Sequence, residues 1–336
     1  MKRLLTIIAC AILLALVCIQ LFFLYVDPSQ RFFSSAMEAS DSWAFQIHAN
    51  ERPIYVFAGG SEVRSGVDPR IFLDEFNMPM VNAGVAAGNG LQANVALSCK
   101  YLKPGDTLVL SILSTNERDI VPSASGIKMA VYRLDASVLD SGIMATSART
   151  AAQFLASDAH AFFILLARAI KPSGYLFKYY EQTIIHPSGW MEILYREMDG
   201  YKPTKVSVPN HLQQLDKNGV CASTLQKLQE YCTQKNVRLI VCIPPRCNPD
   251  ALRAQYAMTA LCITRLGIPV LKDERLGCLP VPTNFADTPA HLNTEAVAEN
   301  TRIIARLLQK NSFWTEQELV DFLHSAGYQP DGTPQQ

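Results

Sequence analysis

Residues 55–69 read YVFAGGSEVRSGVDP. A short apolar run ends on Gly59, Gly60 and Ser61, and a helical pattern takes over across 68–76. An apolar run of this length, bounded by turn residues, is the pattern of a strand buried on both faces. Two glycines at its end permit a tight turn that would lift the Ser61 hydroxyl above the carboxyl edge of a sheet, where ligands of α/β sheets bind.

The same pattern recurs outward from this stretch. PIYVFAG (53–59) is followed by MPMVNAG (78–84), DTLVLSIL (106–113), VRLIVCIPP (237–245) and GIPVLK (267–272), each short enough for a doubly buried strand. Helical patterns lie between or after them at 68–76, 91–102, 223–235, 249–266 and 294–309. Strand followed by helix, repeated, predicts right-handed crossovers, a mainly parallel five-stranded sheet and helices on both of its faces. Residues 120–215 break the rhythm. They hold apolar stretches such as ARTAAQFLASDAHAFFILLARAI and the aromatic-rich GYLFKYYEQTIIHPSGW, and read as an inserted helical cap without strands. Tyr175, Phe177, Tyr179 and Tyr180 within it read as packing residues, or as aromatic faces lining an acceptor groove.

With 336 residues and 49% apolar composition the chain can bury a substantial core. Thirty basic residues balance thirty acidic ones, so no excess positive field is present to hold a nucleic-acid backbone. Residues 4–26 carry no charge, and at about 1.5 Å per residue they cross a hydrocarbon core of about 30 Å. Lys2 and Arg3 precede this run and Asp27 follows it, which predicts a single-pass anchor with a cytoplasmic N-terminus and everything after it extracytoplasmic. The rival, a cleavable signal, fits less well, because the run exceeds the ~7–15 apolar residues of a usual signal and no small-residue cleavage pair follows closely. The expected division is therefore an anchor (1–26), a polar, partly helical juxtamembrane connector (27–50), an α/β domain (51–312) and a C-terminal helix with a disordered tail, YQPDGTPQQ (313–336).

Cys10 and Cys18 lie in the apolar run. Cys99, Cys221, Cys232, Cys242, Cys247, Cys262 and Cys278 show no close CxxC doublet and read as buried thiols, with a Cys242–Cys247 bridge left open. His48, His160, His186, His211 and His324 are scattered without metal-ligand spacing, so no metal and no cofactor is expected. Arg64 reads as a surface residue, or as a holder of a polar or anionic substrate.

A serine hydroxyl needs a base, and the candidate is in FADTPAHLNTEAVAEN (285–300). His291 stands just before a helix that Asn293 or Thr294 could cap, and Asp287 lies four residues upstream. A carboxylate, a histidine and a distant serine are the parts of an activated hydroxyl nucleophile.

In order along the chain, these pieces resemble the SGNH or GDSL hydrolase superfamily. The blocks are AGGSEVRSGVDP after the first strand, VNAGVAAGNG after the second, Ser114-Thr115-Asn116-Glu117 after the third, and DTPAHLN late in the chain. The first block is similar to that of membrane-anchored SGNH proteins of cell-envelope polymer modification, including the teichoic-acid D-alanine transfer protein and the alginate O-acetylation proteins. The resemblance implies a flavodoxin-like three-layer αβα sandwich in which Ser61 attacks an acyl carbonyl, His291 is the base and Asp287 orients the imidazole. It also implies an oxyanion site from the Ser61 backbone N–H, a backbone N–H at Gly88 and the Asn116 amide.

Two positions depart from the family pattern. Threonine occupies position 288, where the acid usually stands, so the loop must bulge to use Asp287 or the site must run as a Ser–His dyad. Ala87 occupies the usual place of the second-block glycine. The expected function is a membrane-anchored, extracytoplasmic serine esterase or O-acyltransferase acting on O-acetyl groups of an envelope polysaccharide, served by a multi-pass acyl-carrying membrane partner. The alternative is a catalytically degraded scaffold of the same fold that binds glycan or an assembly partner. Geometry discriminates them: catalysis needs Ser61 Oγ within hydrogen-bond reach of His291.

Overall fold

The computed structural model describes residues 28–112, 115–123, 143, 182–194, 211–216, 218–247 and 250–335, with a few isolated positions before residue 19. In chain order these form α1 (Pro28–His48), β1 (Tyr55–Ala58), α2 (Ser61–Arg64), α3 (Pro69–Phe76), β2 (Met80–Asn82), α4 (Leu91–Ser98), β3 (Thr107–Ser111) and α5 (Glu117–Ile120). Then come β4 (Thr183–Ile185), β5 (Met191–Ile193), α6 (Val220–Gln234), β6 (Arg238–Cys242), α7 (Arg253–Arg265), α8 (Thr294–Gln309) and α9 (Glu316–Ser325).

Four strands make a parallel sheet in the order β2-β1-β3-β6. Alternation along the strands feeds two cores. Val56, Ala58, Leu108, Leu110, Leu239 and Val241 point to one side, against α4, α6 and α7. Phe57, Val109, Ile240 and Cys242 point to the other, against Phe72 of α3 and Ile304, Ala305 and Leu308 of α8. Burial on both faces is why the strands read as continuous apolar runs. Because β2 lies on one side of β1 and β3 on the other, the connections leaving β1 and β3 diverge, and a crevice opens between them at the carboxyl edge. Ser61 is the third residue past β1, at that crevice.

The structure differs from expectation in several places. The run at 267–272 does not complete a fifth strand; it meets β6 through a single parallel bridge, Val241 to Val270. Gly267 takes a positive φ of 79°, and Pro269 has no N–H to donate, so the backbone makes only two hydrogen bonds to Val241. The insertion is not strandless, since β4 and β5 pair antiparallel around a turn in which Gly189 has φ 82°. The β-branched run Thr183-Ile184-Ile185 before His186-Pro187-Ser188-Gly189 explains the hairpin. The aromatic residues at 175–180 lie outside the described residues. The tail does not dissolve after α9: Tyr328 is buried, Gly332 turns the chain with φ 82°, and Leu212 N–H donates to Gly332 O.

The segment expected as a connector is one helix, α1, with Ala36, Met37, Ser40, Ala44 and Ile47 buried at helical spacing. Trp43 Nε1 donates to Met80 O (2.8 Å), so α1 closes over the β2 edge of the sheet. No helix among the described residues is long and apolar enough to cross a membrane, and most of residues 4–26 lie outside them. No disulfide joins the cysteines; Cys99, Cys221, Cys232, Cys242, Cys247 and Cys278 are buried thiols.

Candidate active site

The turn that carries Ser61 is held by close backbone approach. A Cβ at Gly60 would lie 2.5 Å from Glu62 Oε2 and 2.7 Å from Ala87 Cα, so only glycine fits where the β1 turn meets the loop after β2. From the end of β2, buried Asn82 spans the gap: its Nδ2 donates to Val63 O (2.9 Å) and Val67 O (2.8 Å), and its Oδ1 accepts from Gly84 N–H (3.1 Å). One side chain thereby holds the C-terminal end of α2 and the turn that follows it.

His291 comes from the other end of the chain. Asn293 caps α8, its side chain accepting from Ala296 N–H (2.9 Å). Helix α8 is tied to the segment that follows Ser61, because Asn300 Nδ2 donates to Gly66 O (2.8 Å) and Asp68 N–H donates to Thr301 Oγ1 (3.1 Å). The loop before it is a small hairpin: Phe285 and Leu292 pair, and Ala286 N–H donates to His291 O (2.9 Å).

Within that hairpin the extra residue finds its place. Thr288 serves the turn, its carbonyl accepting from His291 N–H (3.3 Å) and its Oγ1 from Ala290 N–H (3.3 Å). Asp287 is freed to face the ring, and its Oδ1 lies 2.8 Å from His291 Nδ1. On the opposite edge of the imidazole, His291 Nε2 lies 2.8 Å from Ser61 Oγ. A proton on Nδ1 satisfies Asp287 and leaves Nε2 to accept from the serine hydroxyl. Asp287 and His291 are both buried. The structure thus brings Ser61, His291 and Asp287 into one line, with the loop bulged at Thr288.

The expected oxyanion residues are placed less uniformly. Ser61 N–H, at the first position of α2, makes no hydrogen bond among the described residues. Ala87 and Gly88 both line a cavity of about 280 Å³ with Gly60, Glu62 and Ser111. Ala87 N would lie 2.8 Å from a Cβ at Gly60, whereas nothing comes within 4 Å of one at Gly88, so Ala87 is the residue against the nucleophile turn. Asn116 lines a second cavity, of about 440 Å³, rather than the one beside Ser61.

Glu62 is the residue that sequence reasoning passed over. It follows the nucleophile directly and is buried, with Oε1 accepting from Gly60 N–H (2.9 Å) and from Ser111 Oγ (3.1 Å). Burial pushes its carboxyl above the ordinary 4.5. Its Oε2 has no hydrogen-bond partner among the described residues. The signal available was an acid inside an otherwise apolar and glycine turn, where a solvated side chain has no obvious place.

Arg64 is neither a surface residue nor a substrate holder. It is fully buried, and Nη1 donates to Ser40 Oγ (2.6 Å), Gly189 O (2.6 Å), Ala36 O (3.2 Å) and Asn82 O (3.2 Å). It joins α2 to α1 and to the β4–β5 turn. Among the described residues no group of three His, Cys, Asp or Glu could hold a metal ion.

No family model, no curated protein and no solved structure matches the chain. Its function has to be read from these residues and their geometry.

Proposed function

We propose that the chain is a serine esterase or O-acyltransferase of the SGNH type, with a flavodoxin-like αβα architecture. The observation that carries this is the hydrogen-bonded line Ser61 Oγ, His291 Nε2, His291 Nδ1, Asp287 Oδ1, at 2.8 Å on each side of the ring. Buried and aligned, such a line gives an otherwise weak hydroxyl nucleophile a base at hydrogen-bond distance.

In the acylation step Ser61 Oγ forms a bond to the acyl carbonyl carbon while His291 Nε2 takes the hydroxyl proton. Asp287 holds the Nδ1 proton and stabilises the imidazolium that forms. The tetrahedral oxyanion accepts from Ser61 N–H and from the backbone at Ala87 or Gly88. His291 then gives its proton to the departing alcohol oxygen as that C–O bond breaks. The acyl-serine is resolved when a second hydroxyl attacks, its proton passing to His291 and then back to Ser61 Oγ. Water makes the enzyme an esterase and a sugar hydroxyl makes it a transferase. Glu62 takes no proton in this scheme; it occupies Gly60 N–H and so leaves Ser61 N–H as the donor at the turn.

The acyl unit we assign is acetyl and the acceptor an envelope polysaccharide, on the resemblance of the first block to envelope-polymer proteins. The anchor at 4–26 belongs to the same proposal, with the catalytic domain extracytoplasmic and an acyl-carrying membrane partner supplying the donor. Ile7, Ile8 and Leu14, helical and exposed in a charge-free run, support the anchor. Incubating the protein with an aryl acetate and measuring intact mass tests the chemistry. An acetyl adduct on wild type, mapped to Ser61 and absent from Ser61→Ala, is expected; turnover that persists in Ser61→Ala would refute it.

A further inference from the structure

The two cavities at the carboxyl edge share walls: Arg246 and Asp119 line both the one beside Ser61 and the larger one beyond it. Arg246 lies four residues past the end of β6, on backbone pinned by Arg246 N–H to Gly277 O (3.0 Å) and Leu279 N–H to Arg246 O (2.9 Å). Its guanidinium makes no hydrogen bond or ion pair with any described residue, and Nε is fully buried without a partner. Arg246 is half-buried, and a bound oxyanion is one way to meet a donor that the protein itself leaves unmet.

The neighbouring polar walls are already satisfied. Asn94 is bonded to Ala86 O and Asn89, and the Gln255 side chain is held by the Gln213 backbone, accepting from its N–H and donating to its carbonyl. Asp119 lines the same two cavities, and no ion pair joins it to Arg246. Arg246 is therefore an open, fork-shaped cation at the junction of a cavity that borders the nucleophile and a roomier one that could hold a sugar-sized group.

We propose that Arg246 is an anion-recognition site for the acyl acceptor, binding a carboxylate or phosphate group of the polymer in the outer cavity while a neighbouring hydroxyl reaches toward Ser61. A planar guanidinium with unmet donors matches either oxyanion in bidentate fashion, which a neutral glycan could not supply. The position of the subsite relative to catalysis rests on the acyl-transfer reading; the binding itself does not.

The test measures binding by calorimetry on the full-length chain in detergent micelles, in the Ser61→Ala background so that no turnover enters. The probes are glycerol 1-phosphate, glucuronate and uncharged glucose. The expected result is saturable binding of one or both anions, at least about tenfold tighter than glucose, and a loss of roughly 10- to 100-fold in Arg246→Gln. Arg246→Lys should retain part of the affinity, since it keeps the charge and loses the fork. Preference for glycerol 1-phosphate would name a phosphodiester polymer, and preference for glucuronate a uronic-acid one. Equal binding of anion and glucose, or anion binding unchanged in both variants, would overturn the proposal. Because acetyl transfer to Ser61 is read separately on wild type, failure of the catalytic reading and failure of the anion site give different results.

Discussion

At the scale of single residues, the pairing of Ser61 with His291 was legible because each sits at the end of an unmistakable element, Ser61 after β1 and His291 before α8. The acid was not settled by spacing alone. Sequence offered either a bulged loop or a dyad, and the choice depends on hydrogen bonds within the 286–291 hairpin that no residue pattern encodes. Since Thr288 holds the turn and Asp287 faces the ring, Asp287→Asn should lower kcat roughly 1,000- to 10,000-fold, as loss of the orienting acid does elsewhere, while Thr288→Ala stays within a few-fold. Steady-state hydrolysis of an aryl acetate reads both. Asn116 lines the outer cavity, so Asn116→Ala is expected to reduce kcat by less than about tenfold; a loss of ~100- to 1,000-fold would restore it as an oxyanion donor. Glu62 has a pH signature. Its folded pKa is raised by burial, so the stability that it contributes in its neutral form is complete below 4.5 and is lost as pH rises through the raised value. The melting temperature of Glu62→Gln should therefore gain on wild type as pH increases from 4 to 8, and a constant difference would count against a buried neutral carboxyl.

Among the elements, four of the five expected strands and the helices that flank them are where apolar runs and helical periodicity put them, because doubly buried strands need continuous apolar residues. What pattern reading missed were elements whose logic is tertiary. The α1 helix looked like a polar connector, yet its buried positions recur at helical spacing and cover the β2 edge. The β4–β5 hairpin was hidden in an aromatic and apolar stretch that reads as helix. Trp190, at the foot of β5, packs in one cluster with Phe285 and Leu292 of the hairpin that carries His291, and Glu192 accepts from Thr294 Oγ1 (2.8 Å). Arg64 couples these two missed elements to α2. Replacing it with methionine removes the shared charge-assisted bonds of Nη1 and leaves the buried Gly189 carbonyl without its donor, while Ser40 Oγ still reaches Ala36 O and Asn82 O; the loss should be about 2–4 kcal/mol in chemical denaturation. A chain beginning at residue 51 should likewise melt well below one beginning at 28, since it lacks α1.

The whole molecule gathers distant pieces of chain around one crevice, at the point where the sheet order reverses. Ser61 and His291 are 230 residues apart in sequence, and Asn300, Thr301 and Asn82 supply the bonds that bring their elements together. Balanced charge and an unmatched Arg246 at the crevice mean that any preference for anionic acceptors is local rather than a property of the overall field. Burial pushes Cys221, Cys232 and Cys242 up to about 12, so in the native protein at pH 8 these thiols should resist iodoacetamide and become alkylated only on unfolding, as peptide mass analysis would show. The central claim is that Ser61 is activated by His291, and the most direct measurement is labelling of the folded full-length protein with a fluorophosphonate. Wild type should be labelled at Ser61, with labelling abolished in Ser61→Ala and slowed at least about 1,000-fold in His291→Ala. A folded wild type that takes no label, or a His291→Ala variant labelled as fast as wild type, would contradict it.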